Sequence, residues 1–61
     1  MSNVRKCIKE HIAQNGPSTG AELIAACQAA GAKTLRAERI IQRMTSRGKL
    51  VENGGTYTVA V

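Results

Sequence analysis

The feature that most constrains this chain is a three-residue break, Gly31-Ala32-Lys33, between two stretches of helical periodicity. Helices joined by so short a glycine-bearing turn have no freedom to separate, so they must pack directly against each other at a steep angle. The stretch before the break opens with Thr19-Gly20-Ala21-Glu22, a capping-box pattern with Thr19 as N-cap and Glu22 three residues on. Leu23, Ile24, Cys27 and Ala30, with Ala26 beside them, then form an apolar stripe, and Gly31 ends the helix. After the break, Thr34 is the expected N-cap of a helix spanning about residues 35–47, which Gly48 terminates.

The flanking segments complete a single domain over residues 1–61. Val4, Cys7, Ile8, His11 and Ile12 repeat at amphipathic-helix spacing, predicting a first helix from about Ser2 to Gln14 capped by Ser2 or Asn3. Asn15-Gly16-Pro17 stops it, and Gly16-Pro17-Ser18 is read as a short extended piece. At the other end, Lys49–Glu52 and Thr56–Val61 are rich in β-branched residues and flank Asn53-Gly54-Gly55, the positive-φ chemistry of a tight hairpin. Tyr57, Val59 and Val61 alternate on one face of the second strand. The expected fold class is therefore α+β, three helices followed by a C-terminal β-hairpin. A domain this small buries only about 60% of its unfolded-chain surface. Its only aromatic is Tyr57, so aliphatic side chains must make the core.

Charge is distributed unevenly. Lys33, Arg36, Arg39, Arg43, Arg47 and Lys49 stand against Glu38 alone, so this segment holds an excess equal to the net +5 of the whole chain. A basic surface concentrated in this way faces a polyanion. With Arg36 set at zero on a wheel of roughly 100° per residue, the apolar residues Ala37, Ile40, Ile41 and Met44 centre near roughly 90° and the arginines near roughly −15°. An arginine stripe thus lies next to the apolar stripe. In a helix-turn-helix unit the second helix enters the DNA major groove, and here that helix carries the arginines. Lys33, Thr34 and Arg36 are assigned to the groove entrance, and Arg36 and Arg39 to base reading through paired hydrogen bonds to guanine. Gln42 can read adenine, although it sits off the stripe, while Arg43 and Arg47 are assigned to phosphates and Lys49 completes the expected DNA-binding set.

The residues Gly16-Pro17-Ser18-Thr19, Gly31-Ala32-Lys33-Thr34, Arg47-Gly48-Lys49-Leu50-Val51 and Asn53-Gly54-Gly55-Thr56-Tyr57 together resemble the winged helix-turn-helix superfamily, in the manner of small bacterial or phage-type regulators. The resemblance covers nearly the whole chain. It implies a three-helix winged fold with the hairpin as wing, and a double-stranded DNA-binding protein acting in transcription regulation. The chain departs from the pattern in lacking long flanking helices for dimerisation and basic residues at the wing tip. Glu52 stands close to that tip, so the wing is expected to be more structural than DNA-reading.

Other chemistry has little to work with. Cys7 and His11 share a helical face, but only Cys27 could join them and the chain has no Asp, so both cysteines are read as small core hydrophobes and no metal or cofactor is expected. No nucleophile triad, phosphate loop or paired carboxylates point to an enzyme. No apolar run approaches a membrane span, no signal peptide is visible, and sparse cysteines suit a reducing cytoplasm. RNA recognition is disfavoured by the single aromatic. A competing function is a winged-helix protein–protein interaction module using the basic stripe or the apolar wing face. A homodimer through the first helix or the terminal strand would enlarge the thin core.

Overall fold

The structure is a computed structural model that describes residues 3–60. Helix α1 (Val4–Asn15) starts on Asn3, whose side-chain oxygen accepts from the Lys6 N–H at 3.1 Å. Ser2, the other expected cap, lies outside the described residues, as does Val61. After Pro17 the chain forms a two-residue strand, β1 (Ser18–Thr19), and Thr19 then caps α2 (Gly20–Ala29). The capping box is complete: the Glu22 N–H donates to the Thr19 hydroxyl at 3.2 Å, and the Thr19 N–H donates to the Glu22 carboxylate at 2.8 Å.

That backbone hydrogen bond from Thr19, followed by its hydroxyl contact, holds the Glu22 carboxyl below its ordinary pKa. A depressed carboxylate stabilises the fold above the unfolded-chain pKa, and the contribution disappears as pH falls through the folded value. Thr19→Ala removes the hydroxyl that accepts from the Glu22 N–H and should cost about 1 kcal/mol. Urea unfolding at neutral pH checks this; the backbone N–H of residue 19 still donates to Glu22 in the variant, so both chains should lose stability as pH falls through the folded Glu22 value.

The ends of α2 and of α3 (Thr34–Ser46) are built alike. At the first, the Gly31 N–H donates to the Gln28 carbonyl and the Ala32 N–H to the Cys27 carbonyl, both at 2.9 Å. At the second, Gly48 donates to Thr45 at 3.1 Å and Lys49 to Met44 at 2.7 Å. These are Schellman motifs, and they need glycine because Gly31 and Gly48 hold φ of 96° and 75°. The first motif sets the short α2–α3 turn. The second sends the chain back towards the end of α3 before it enters β2 (Leu50–Asn53).

The start of α3 differs from the sequence expectation. Lys33 occupies the N-cap position without a side-chain cap bond, and Thr34 is already helical. The Thr34 hydroxyl instead accepts a hydrogen bond from the Gln28 amide, tying the two helices across their turn. With its oxygen engaged there, the expected cap gives way to a brace, and the helix runs one residue earlier than 35–47.

Strands β2 and β3 (Thr56–Val59) pair antiparallel, with Leu50 opposite Val59 and Asn53 opposite Thr56. Gly54 and Gly55 make the connection with φ of 60° and 88°. Positive φ at both positions is the requirement of a two-residue primed turn. Glu52 braces this tip by accepting from the Gly55 N–H at 2.8 Å. The expected two-stranded hairpin gains a partner, because β1 pairs with β3 through Ser18–Tyr57 and Thr19–Thr56. The architecture is thus α+β, with three helices and a three-stranded antiparallel sheet in the order β1-β3-β2.

One core unites the elements. Val4, Ile8 and Ile12 come from α1, Leu23 and Cys27 from α2, Ala37, Ile41 and Met44 from α3, and Leu50 from β2. Ile24, Ala32, Ile40, Tyr57 and Val59 pack around it. Ser18 is buried but satisfied, its hydroxyl donating to the Gly16 carbonyl at 2.9 Å.

Candidate nucleic-acid interface

The buried face of α3 fixes which way its other side chains point. Ala37, Ile41 and Met44 are buried against the rest of the core. At roughly 100° per residue, the line diametrically opposite them is Leu35, Arg39, Gln42 and Ser46. All four are exposed. Arg36, Arg43 and Arg47 form a parallel row along one flank of that line, also exposed. The basic stripe of the sequence thus resolves into an outward line containing one arginine and a lateral row containing three.

Shallow surface depressions record how these side chains group. Lys33, Leu35, Arg36, Arg39, Ile40 and Arg43 line one along the first turns of the helix. Arg39, Gln42, Arg43 and Ser46 line the next. Gln42, which stands off the arginine stripe in the sequence, shares this surface with Arg39 and Arg43. Thr34 is exposed but committed through its hydroxyl to Gln28.

A third depression lies at the C-terminal end of α3. Arg43, Met44 and Arg47 contribute from the helix, Lys49 from the residue just before β2, and Arg5 and Lys9 from α1. None of the residues lining it is acidic. Arg47 and Lys49 therefore do not continue the outward line; they meet two cations from elsewhere in the chain.

Three contributors, Leu35, Arg5 and Lys9, were not singled out from the sequence. Leu35 lies outside the apolar stripe and is 57% exposed, an isolated large hydrophobe among cations. Its position on the far side of the helical wheel from Ala37 was available as a signal. Arg5 and Lys9 carried no such signal, because only the packing of α1 against α3 brings them to this surface.

The cysteines lie on the other side of α1. Burial, and secondarily the neighbouring Cys7, push the Cys27 thiol up to about 11, which keeps it protonated and unreactive at neutral pH. The Cys7 thiol donates to the Ala26 carbonyl at 3.5 Å, bridging α1 to α2. Both thiols are free. His11 is half-buried, and its carbonyl accepts from the Asn15 side chain at 3.0 Å. Among the described residues no group of His, Cys, Asp and Glu is arranged to hold a metal ion, and no helix is long and apolar enough to cross a membrane.

Comparison of the chain with protein families, with characterised proteins and with solved structures yields no match.

Proposed function

We propose that this protein is a winged helix-turn-helix DNA-binding protein, acting as a transcription regulator in the cytoplasm, that places α3 in the major groove of double-stranded DNA. The observation that carries the reading is the outward face of α3: exposed Lys33, Arg36, Arg39 and Arg43 around one surface, on the second helix of a pair joined by a Schellman turn. The major groove is about 12 Å wide and admits one helix with its side chains. In this pose Arg39 and Gln42 point at base edges, where they suit guanine and adenine, and Arg36 either joins them or reaches the near groove wall. Residues 30–33 connect α2 to α3, and in this reading β2–β3 forms the wing.

The test is titration of the purified chain with a random-sequence duplex at about 50 and about 200 mM salt. Phosphate contacts release counterions, so affinity should fall steeply with salt, by roughly 0.9 log per log unit for each phosphate neutralised. Absence of duplex binding at the lower salt would reject the reading.

A protein-interaction module is the second reading, and one observation favours it. Leu35 and Val51 are 57% and 48% exposed, so both the basic face and the wing carry an apolar residue in solvent. On that reading the chain ignores duplex DNA and an acidic, partly apolar protein surface covers α3.

A further inference from the structure

We propose that α1 supplies half of a phosphate-binding hollow, in which Arg5 and Lys9 face Arg43, Arg47 and Lys49 and together grip the phosphodiester backbone beside the groove that α3 occupies. The inference rests on the DNA-binding reading for its ligand but on separate residues for its site. Arg5 and Lys9 stand one turn apart on α1, flanking the buried Val4 and Ile8, and Arg43 and Arg47 stand one turn apart on α3. Packing of α1 against α3 turns the two pairs towards a shared depression. The Schellman motif that donates Lys49 N–H to Met44 folds Lys49 back to the same place.

Five cations from three parts of the chain therefore line one depression floored by the buried Met44. Like charges gathered at close range repel, and an anion seated among them removes that repulsion. Among the described residues no carboxylate lines the depression, while Glu10, the acid nearest in sequence to Lys9, faces the opposite hollow between α1 and α2. Arginine forks match phosphate oxygens in pairs, and lysine adds a mobile point charge. The wing tip, Asn53-Gly54-Gly55, offers no cation, so this hollow replaces it as the second anchor on the backbone. A backbone anchor carries no sequence information; it fixes the orientation in which Arg39 and Gln42 meet the bases.

The test compares the intact chain with Arg5→Gln/Lys9→Gln and with the charge-retaining Arg5→Lys/Lys9→Arg, using random-sequence duplex between about 50 and about 200 mM salt. The glutamine pair should lower the magnitude of the salt slope by about 1.8, the value for two lost phosphate contacts, and weaken all sequences equally. The charge-retaining pair should preserve the slope. Arg5 and Lys9 are both exposed, and unfolding curves check that the fold is unchanged. An unchanged slope and affinity in the glutamine pair, with duplex binding intact in the unaltered chain, overturns the hollow and leaves the DNA-binding reading standing. Inorganic tripolyphosphate, followed by amide NMR shifts, separates the remaining case. If the unaltered chain ignores duplex but tripolyphosphate shifts residues 5–9 and 43–49 first, the DNA-binding reading falls and the anion site stands. Shifts that are absent, or spread evenly over every basic residue, overturn the site itself.

Discussion

Leu23→Ala should leave a large share of the molecules unfolded at room temperature. Leu23 has no exposed surface and sits where α2 meets the core residues of α1 and α3. Removing a fully buried leucine side chain loses its transfer free energy and leaves a cavity, together about 2–5 kcal/mol. A chain of this length has only about 3–9 kcal/mol in total. Its aliphatic core has no large aromatic able to lean into the gap, since Tyr57, the only aromatic in the chain, is pinned over Gly20 with its ring 3.6 Å from where a Cβ would stand. Urea unfolding followed by circular dichroism should show a lower midpoint at constant slope. Leu35→Ala is the matched control: the same atoms removed from an exposed site should change stability by less than about 0.5 kcal/mol. Equal penalties for the two would mean that α2 does not seat on the core as described.

Changing Arg36, Arg39 and Arg43 together to alanine should reduce duplex affinity by at least about a hundredfold near 100 mM salt, from the loss of bidentate and phosphate contacts each worth about 1–3 kcal/mol. The three belong to one continuous surface but are not equivalent. Arg39 lies on the outward line, so Arg39→Ala alone should relax preference at one base pair, scored by competition among single-substitution duplexes. Arg43→Ala should weaken every duplex alike and reduce the salt slope by about one contact. If the triple variant binds as well as the unaltered chain, α3 is not the element that meets DNA. If Arg39 and Arg43 behave identically, the division into a reading line and a flank is wrong.

Much of the fold was legible because its signals are local. The capping box at Thr19–Glu22 and the glycines at 31 and 48 act within one helical turn, and each ends or starts a helix as the sequence suggested. The paired glycines of the hairpin act within two residues. Legibility failed where a distant partner decided the outcome. Strand β1 is two residues long, too short for any alternation, and exists only because β3 lies alongside. Thr34 has the composition of a cap, yet Gln28 takes its hydroxyl. The basic segment 33–49 was evident from charge alone, but charge does not reveal azimuth. Burial of Ala37, Ile41 and Met44 was needed to separate Leu35, Arg39 and Gln42 from the row of Arg36, Arg43 and Arg47. The contribution of Arg5 and Lys9 was invisible for the same reason as β1, since it depends on a tertiary neighbour.

The sheet order also has a consequence for biogenesis. Strand β3 is the central strand, hydrogen-bonded to β1 on one side and β2 on the other, yet it is the last of the elements to be synthesised. Until residues 56–59 are available, β1 and β2 have no partner, and the core lacks the packing of Tyr57 and Val59. The domain can therefore complete its fold only once β3 is available, and a chain ending at Gly55 would leave both β1 and β2 without their partner strand.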